Sequence, residues 1–143
     1  MEAEMERADA LATLVGRLLI AALFVGGAVQ KALDPAQVAD MLRGWGLPGG
    51  LVWAALVYNA VAALALIIGV GARLAALSLA GYCGLTSFFH LIPEDPWQMT
   101  IFVKNWAIAG GCLILAAHGP GRWSLRNPSG GLASQRRRYG TDE

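Results

Sequence analysis

The sequence predicts an all-α integral membrane protein, a single bundle of four transmembrane helices. Three observations carry that prediction. Of the 143 residues, 56% are hydrophobic and only 15% charged, whereas soluble domains carry about 25% charged residues. The apolar residues gather into four runs, each near the ~20 residues that cross a hydrocarbon core about 30 Å thick. Between the runs stand Gly, Pro and charged residues, the punctuation of connecting segments. A lone strand in lipid leaves its backbone groups unpaired, so each run is read as a helix.

The first run covers residues 11–33. The acidic stretch before it lacks the basic region of a cleaved signal peptide, so the run is read as a retained span and residues 1–10 as a separate terminal segment. Asp34-Pro35 ends the span, and a short interfacial helix is expected over residues 35–43. Gly44, Gly46, Pro48, Gly49 and Gly50 then lead into the second run, 51–70. Gly69, Gly71 and Arg73 make a tight junction to the third, 72–92. Pro93-Glu94-Asp95-Pro96 separates it from the fourth, 100–117. The transmembrane domain is therefore 11–118, and 119–143, rich in Gly, Pro, Ser and Arg, is expected to be an irregular basic tail. Gly26-Gly27, Gly81, Gly84 and Gly110-Gly111 suit close helix approach, which in lipid replaces the hydrophobic drive.

An even number of spans puts both termini on one face. That face collects Arg7, Arg73, Arg122, Arg126 and Arg136-Arg137-Arg138, against Lys31, Arg43 and Lys104 on the other. The positive-inside rule makes the richer face cytoplasmic. Trp45, Trp53, Trp97 and Trp106 are expected at the outer surface and Trp123 at the inner one, where indoles are half wet. The net charge of +1 offers no basic field for nucleic acid.

Charged and polar groups inside spans each need a reason. Arg17, Phe24 and Lys31 recur every seven residues and share a stripe on the first helix. Snorkelling to the nearest interface is the ordinary reading for both cations, less so for the deeper Arg17. Asn59 falls near the middle of the second span and requires a hydrogen-bond partner. His90 ends the third span, while Lys104 and Asn105 open the fourth. With Lys31 they are expected at one height, as a cationic mouth able to hold an anion or a quinone head group; four separate interfacial residues is the plainer reading. His90 is the candidate catalytic group, for proton handling, since imidazole titrates near neutrality. Lys31, Lys104, Asn105, Arg17 and Asn59 are the candidate ligand-binding residues. Cys83 and Cys112 lie in apolar runs without zinc spacing and read as buried hydrophobes. No metal site and no haem, iron–sulfur or dinucleotide fingerprint is present.

These residues resemble the DoxX family of membrane proteins. Arg17-Leu18-Leu19 with Phe24, Gly27 and Lys31 is similar to that family's opening motif, and Gly46-Leu47-Pro48 to its first outer loop. The stretch from Leu66 to Gly69, followed by Arg73 to Leu77, resembles its second junction, and Thr86 to His90 the end of its third span. Lys104-Asn105 with Gly110-Gly111 resembles its fourth-span signature; Gly119-Pro120-Gly121 and Ser124-Leu125 resemble its closing motif. The resemblance covers residues 11–126. Two positions depart from it: Asn59 stands where the family usually has glutamate, and Arg126 where it often has aspartate. An asparagine keeps a hydrogen bond but cannot titrate.

The resemblance implies a membrane protein akin to a subunit associated with thiosulfate:quinone oxidoreduction and to proteins of oxidative-stress complexes; with the charge count above, the expected place is the bacterial inner membrane with both termini cytoplasmic. Two functional readings follow. In one, the chain is a component of an oxidoreductase system, with quinone or a sulfur oxyanion as ligand. In the other, it is a non-catalytic assembly subunit of a larger membrane complex, with the arginine run of the tail docking a partner or anionic lipid. A channel or transporter fits less well, because the spans are not broken at their middles. The bilayer is the partner common to all readings.

Overall fold

Helix accounts for all regular structure in the computed structural model, which describes residues 1–125. Helix α1 runs Glu2–Leu33, α2 Pro35–Gly44, α3 Leu51–Ile68, α4 Ala72–Ser87 and α5 Pro96–His118. A single 3-10 turn, Phe88–His90, extends α4. Helices α1, α3, α5 and α4 with its 3-10 turn are each long and apolar enough to cross a membrane. The termini of α1 and α5 and the α3–α4 junction share one side, called here the terminal face. The α1–α3 connection and the α4–α5 loop lie on the distal face.

Three boundaries differ from the sequence expectation, each for a local reason. The helix of the first span extends back through the acidic residues, because α1 begins at Glu2. No proline interrupts this stretch, and Glu2 and Glu4 in the first turn complement the positive end of the helix dipole. Helix α5 begins at Pro96 rather than at residue 100, because Asp95 caps it. The Asp95 carboxylate accepts from the backbone N–H of Trp97 and of Gln98, and Pro96 takes the first helical position, where no N–H is needed. Helix α4 tightens into its 3-10 turn where hydroxyls bond back along the chain. Thr86 donates to the Tyr82 carbonyl and Ser87 to that of Gly84. Leu91 and Ile92 are outside the helix, as Pro93 disfavours helical geometry at the residue before it.

The interfacial helix appears where expected. Pro35 opens α2, Ala39 and Leu42 face the bundle, and the ion pair of Asp40 with Arg43 faces outward. Trp45 meets Phe89 of the 3-10 turn edge-on at 5.6 Å, tying the two distal connections together. At the opposite face α3 ends on Gly69 with φ +80, the left-handed conformation that glycine adopts without penalty. Two residues later Gly71, at φ +63, starts α4.

Helix α1 packs chiefly on α3 and α4 chiefly on α5; the two pairs meet along the α3–α4 and α1–α5 edges. Ala21, Ala63 and Ala76 are fully buried beside Leu66 and Leu79, so backbones approach closely where the side chains are smallest. Trp53 and Trp97 occupy the first turns of α3 and α5 at the distal face. Trp106 departs from the outer-surface expectation. It lies ten residues into α5, about 15 Å along the axis, and packs edge-on with Phe88 and Phe102 at 6.3 and 6.4 Å.

Candidate functional site

Inside the bundle, Lys31 and Asn59 converge over Gly27. The Lys31 side chain does not extend toward the distal interface; it turns back along α1, and its Nζ donates to the Gly27 carbonyl at 3.1 Å. A Cβ placed on Gly27 would stand 3.6 Å from that Nζ and 3.2 Å from Asn59 Nδ2. Glycine here is a matter of space, since α1 leaves room for two donors from different helices to share one spot. Asn59 is 2% exposed, and its Oδ1 has no hydrogen-bond partner. An orphaned buried acceptor costs about 1–3 kcal/mol, which makes it the most conspicuous polar atom in the bundle.

Aromatic rings from three helices wall the same region. Tyr82 of α4 neighbours Asn59 and lies 5.0 Å from Tyr58 and 6.4 Å from Phe24 between ring centroids. Tyr58 donates to Ser78, whose hydroxyl donates in turn to the Ala75 carbonyl, so the Tyr58 phenol is committed to α4. Gly27, Lys31, Asn59 and Tyr82 thus form a small polar group with one free acceptor and several donors, bounded by flat apolar surface.

The other candidate residues lie apart from this group. His90 sits in the 3-10 turn at the distal face, where its Nδ1 is 2.6 Å from Gln98 Oε1. With Oε1 as acceptor, His90 Nδ1 is the donor of this bond. Lys104 lies six residues beyond Gln98, about 9 Å deeper along α5. It is exposed, lining a shallow groove with Pro96, Met99, Thr100 and Val103. Asn105, next to it, is half-buried. His90, Lys104 and Lys31 therefore do not gather into one mouth. The capped start of α5 at Pro96 carries Lys104 two turns into the helix, and Lys31 points inward.

Arg17 is occupied elsewhere, at the terminal face. It is 2% exposed. Its Nη1 donates to the Pro120 carbonyl at 2.8 Å and its Nη2 to the Trp123 carbonyl at 2.7 Å. The closing segment, residues 119–125, is thereby pinned across the ends of α1 and α3. Leu125 N–H donates to the Ile68 carbonyl and satisfies one orphan acceptor of α3. The buried cation sits near the C-terminal ends of α3 and α5, whose partial negative charge favours it. Arg122 pairs with Glu6 at 3.0 Å on the exposed side. Arg126 and the arginine run at 136–138 fall outside the described residues.

Cys83 of α4 and Cys112 of α5 are both free and buried in the core cluster that all four long helices share. Among the described residues, no group of His, Cys, Asp and Glu could hold a metal ion. Sequence reasoning missed Tyr82 as the neighbour of Asn59 and Gln98 as the partner of His90. The first was open to inference: a midplane asparagine needs a polar group at its own depth on a facing span, and Tyr82 meets that requirement.

The DoxX family model matches residues 12–91, more than half of the chain. This chain belongs to the DoxX family. The chain is also similar to "Inner membrane protein YqjF" of Escherichia coli (strain K12), 31% identical over 122 residues, covering 85% of this chain and 94% of the relative. No solved structure matches. The DoxX match takes in Arg17, Lys31, Asn59 and His90; Lys104 and Asn105 lie beyond it.

Proposed function

We propose that this DoxX protein is a component of a quinone-linked redox system of the inner membrane, and that its interior polar group hydrogen-bonds a quinone head group. The observation that carries this reading is the buried, orphaned Oδ1 of Asn59, whose Nδ2 converges with the Lys31 amine over Gly27. A quinone carbonyl would accept from Lys31 Nζ or Asn59 Nδ2. The hydroxyl of the reduced ring would donate to Oδ1. The rings of Phe24, Tyr58 and Tyr82 would bound a planar ligand. A fully ionised sulfur oxyanion fits less well, because it only accepts and would leave Oδ1 without a donor. His90, at the distal face, would exchange protons with water there.

Orientation and location belong to the same proposal. The excess of arginine at the terminal face supports a cytoplasmic position for both termini. Similarity to an inner membrane protein supports the same membrane. The second reading, a non-catalytic assembly subunit, is favoured by Asn59 itself: a carboxamide at this depth holds a ligand but does not carry a proton.

The test is quinone content after purification in mild detergent and reconstitution with ubiquinone-containing vesicles. Wild type is expected to retain quinone near one per chain. Asn59→Leu is expected to lose it and, with no orphaned acceptor left, to unfold at higher temperature, a gain of about 1–3 kcal/mol. Gly27→Ala is expected to lose quinone too, since its Cβ fills the shared spot. Quinone no higher than on an unrelated helical membrane protein, or equal retention in all three proteins, would overturn the proposal.

A further inference from the structure

Lys104 presents a charge to lipid at a depth that its own side chain does not span. It lies eight residues from Pro96, about 12 Å along α5. Helix α5 has 23 residues, about 35 Å, so centred and upright in a ~30 Å hydrocarbon core it would overhang by about 2 Å at each end. The Lys104 Cα therefore sits about 10 Å below the distal boundary. An extended lysine reaches roughly 6 Å, which leaves the ammonium short of the head groups. Among the described residues no carboxylate pairs with it, since the ion pairs there join Asp40 with Arg43 and Glu6 with Arg122.

The groove beneath Lys104 follows the same face of α5 upward through Val103, Thr100, Met99 and Pro96. All five of these residues lie on α5, and the face they form is mostly apolar and open to the side. From these facts the geometry points to a docking face for a transmembrane helix of a different protein, one that carries a carboxylate about two to three turns below its distal end. Charge complementarity selects that partner.

A second copy of this chain does not supply the carboxylate. Glu2, Glu4, Glu6 and Asp9 occupy the terminal end of α1, and Asp9 is 24 residues from Leu33, about 36 Å along the axis. Asp34, Asp40, Glu94 and Asp95 belong to the distal connections, and Asp142 and Glu143 end the chain. Among the described residues, none falls at the depth of Lys104. The partner is therefore a different polypeptide. This inference does not depend on what the interior polar group binds.

The experiment places the purified protein in phosphatidylcholine vesicles with a labelled Leu–Ala transmembrane peptide. The peptide carries one Glu at the matching depth, and its twin carries Gln. Association is read by energy transfer to a donor on the protein. The Glu peptide is expected to associate roughly tenfold more tightly than the Gln peptide. Lys104→Met, which removes a lipid-facing charge and leaves the core untouched, is expected to erase the preference; Lys104→Arg is expected to keep it. Equal association of the two peptides, or a preference that survives Lys104→Met, overturns the inference. So does loss of the preference when phosphatidylglycerol replaces part of the lipid, because the groove would then take a lipid phosphate.

Discussion

Arg17→Met is expected to lower stability by about 2–4 kcal/mol and to release the closing segment. Two charge-assisted hydrogen bonds are lost, to the carbonyls of Pro120 and Trp123, each worth about 1.5–3 kcal/mol. Removing the buried charge and the unpartnered Nε offsets part of that loss. The carbonyls lie at the terminal face, where water reaches them once the segment lifts, which limits the penalty further. Thermal unfolding in detergent measures the global effect, and protease cleavage within 119–125 measures the local one. A variant with unchanged melting and an uncleaved segment would remove Arg17 from this structural role. Arg17→Lys is expected to fall between the two, because an ammonium lacks the planar fork that reaches both carbonyls.

Gly69→Ala attacks the same contact from α3 and is expected to cost roughly 2–3 kcal/mol. At φ +80 any side chain is strained by about 1–2 kcal/mol. The new Cβ would also overlap Ser124 Cβ, and would stand 2.9 Å from Ser124 Cα and 2.8 Å from Arg17 Nη1. The backbone of Ser124 cannot yield without withdrawing the segment that Arg17 holds. Combined with Arg17→Met, the two losses are expected to sum to less than their separate values, since each dissolves the same packing. Strict additivity in the double variant would show that Gly69 acts only through its own turn.

The bundle was legible because lipid leaves few choices. Apolar runs near 20 residues, separated by Gly, Pro and charge, specify four helices whatever their side chains do. The interfacial helix was legible from Asp34-Pro35 and the glycines beyond it. The candidate site was less so, and the reason differs by residue. For Lys104 the expected span began at residue 100, whereas the Asp95 cap starts α5 at Pro96, about 6 Å earlier. That shift separates Lys104 from His90 and sets it two turns along α5. For Lys31 the position was right and the direction was not. Snorkelling assumes that water is the nearest polar partner, yet the Gly27 carbonyl lies within reach of a side chain that folds back. For Arg17 the partners are backbone carbonyls of residues 120 and 123. Carbonyls are common to every residue, so no pattern of side chains announces them. The need of Asn59 for a partner was evident from depth alone, but that its oxygen goes without one emerged only in three dimensions.

Helix α1 runs without a break from Glu2 to Leu33, and so Arg17 and Lys31 ride on one rigid rod, about 21 Å apart along its axis. A rod turns or slides as a whole. Rotation that brings the Lys31 amine nearer to Asn59 also swings the Arg17 guanidinium under the closing segment, and axial travel shifts both by the same amount. The chain-wrapped terminal face and the interior contact with a neighbouring helix's carboxamide are therefore moved together by any turn or slide of this one helix.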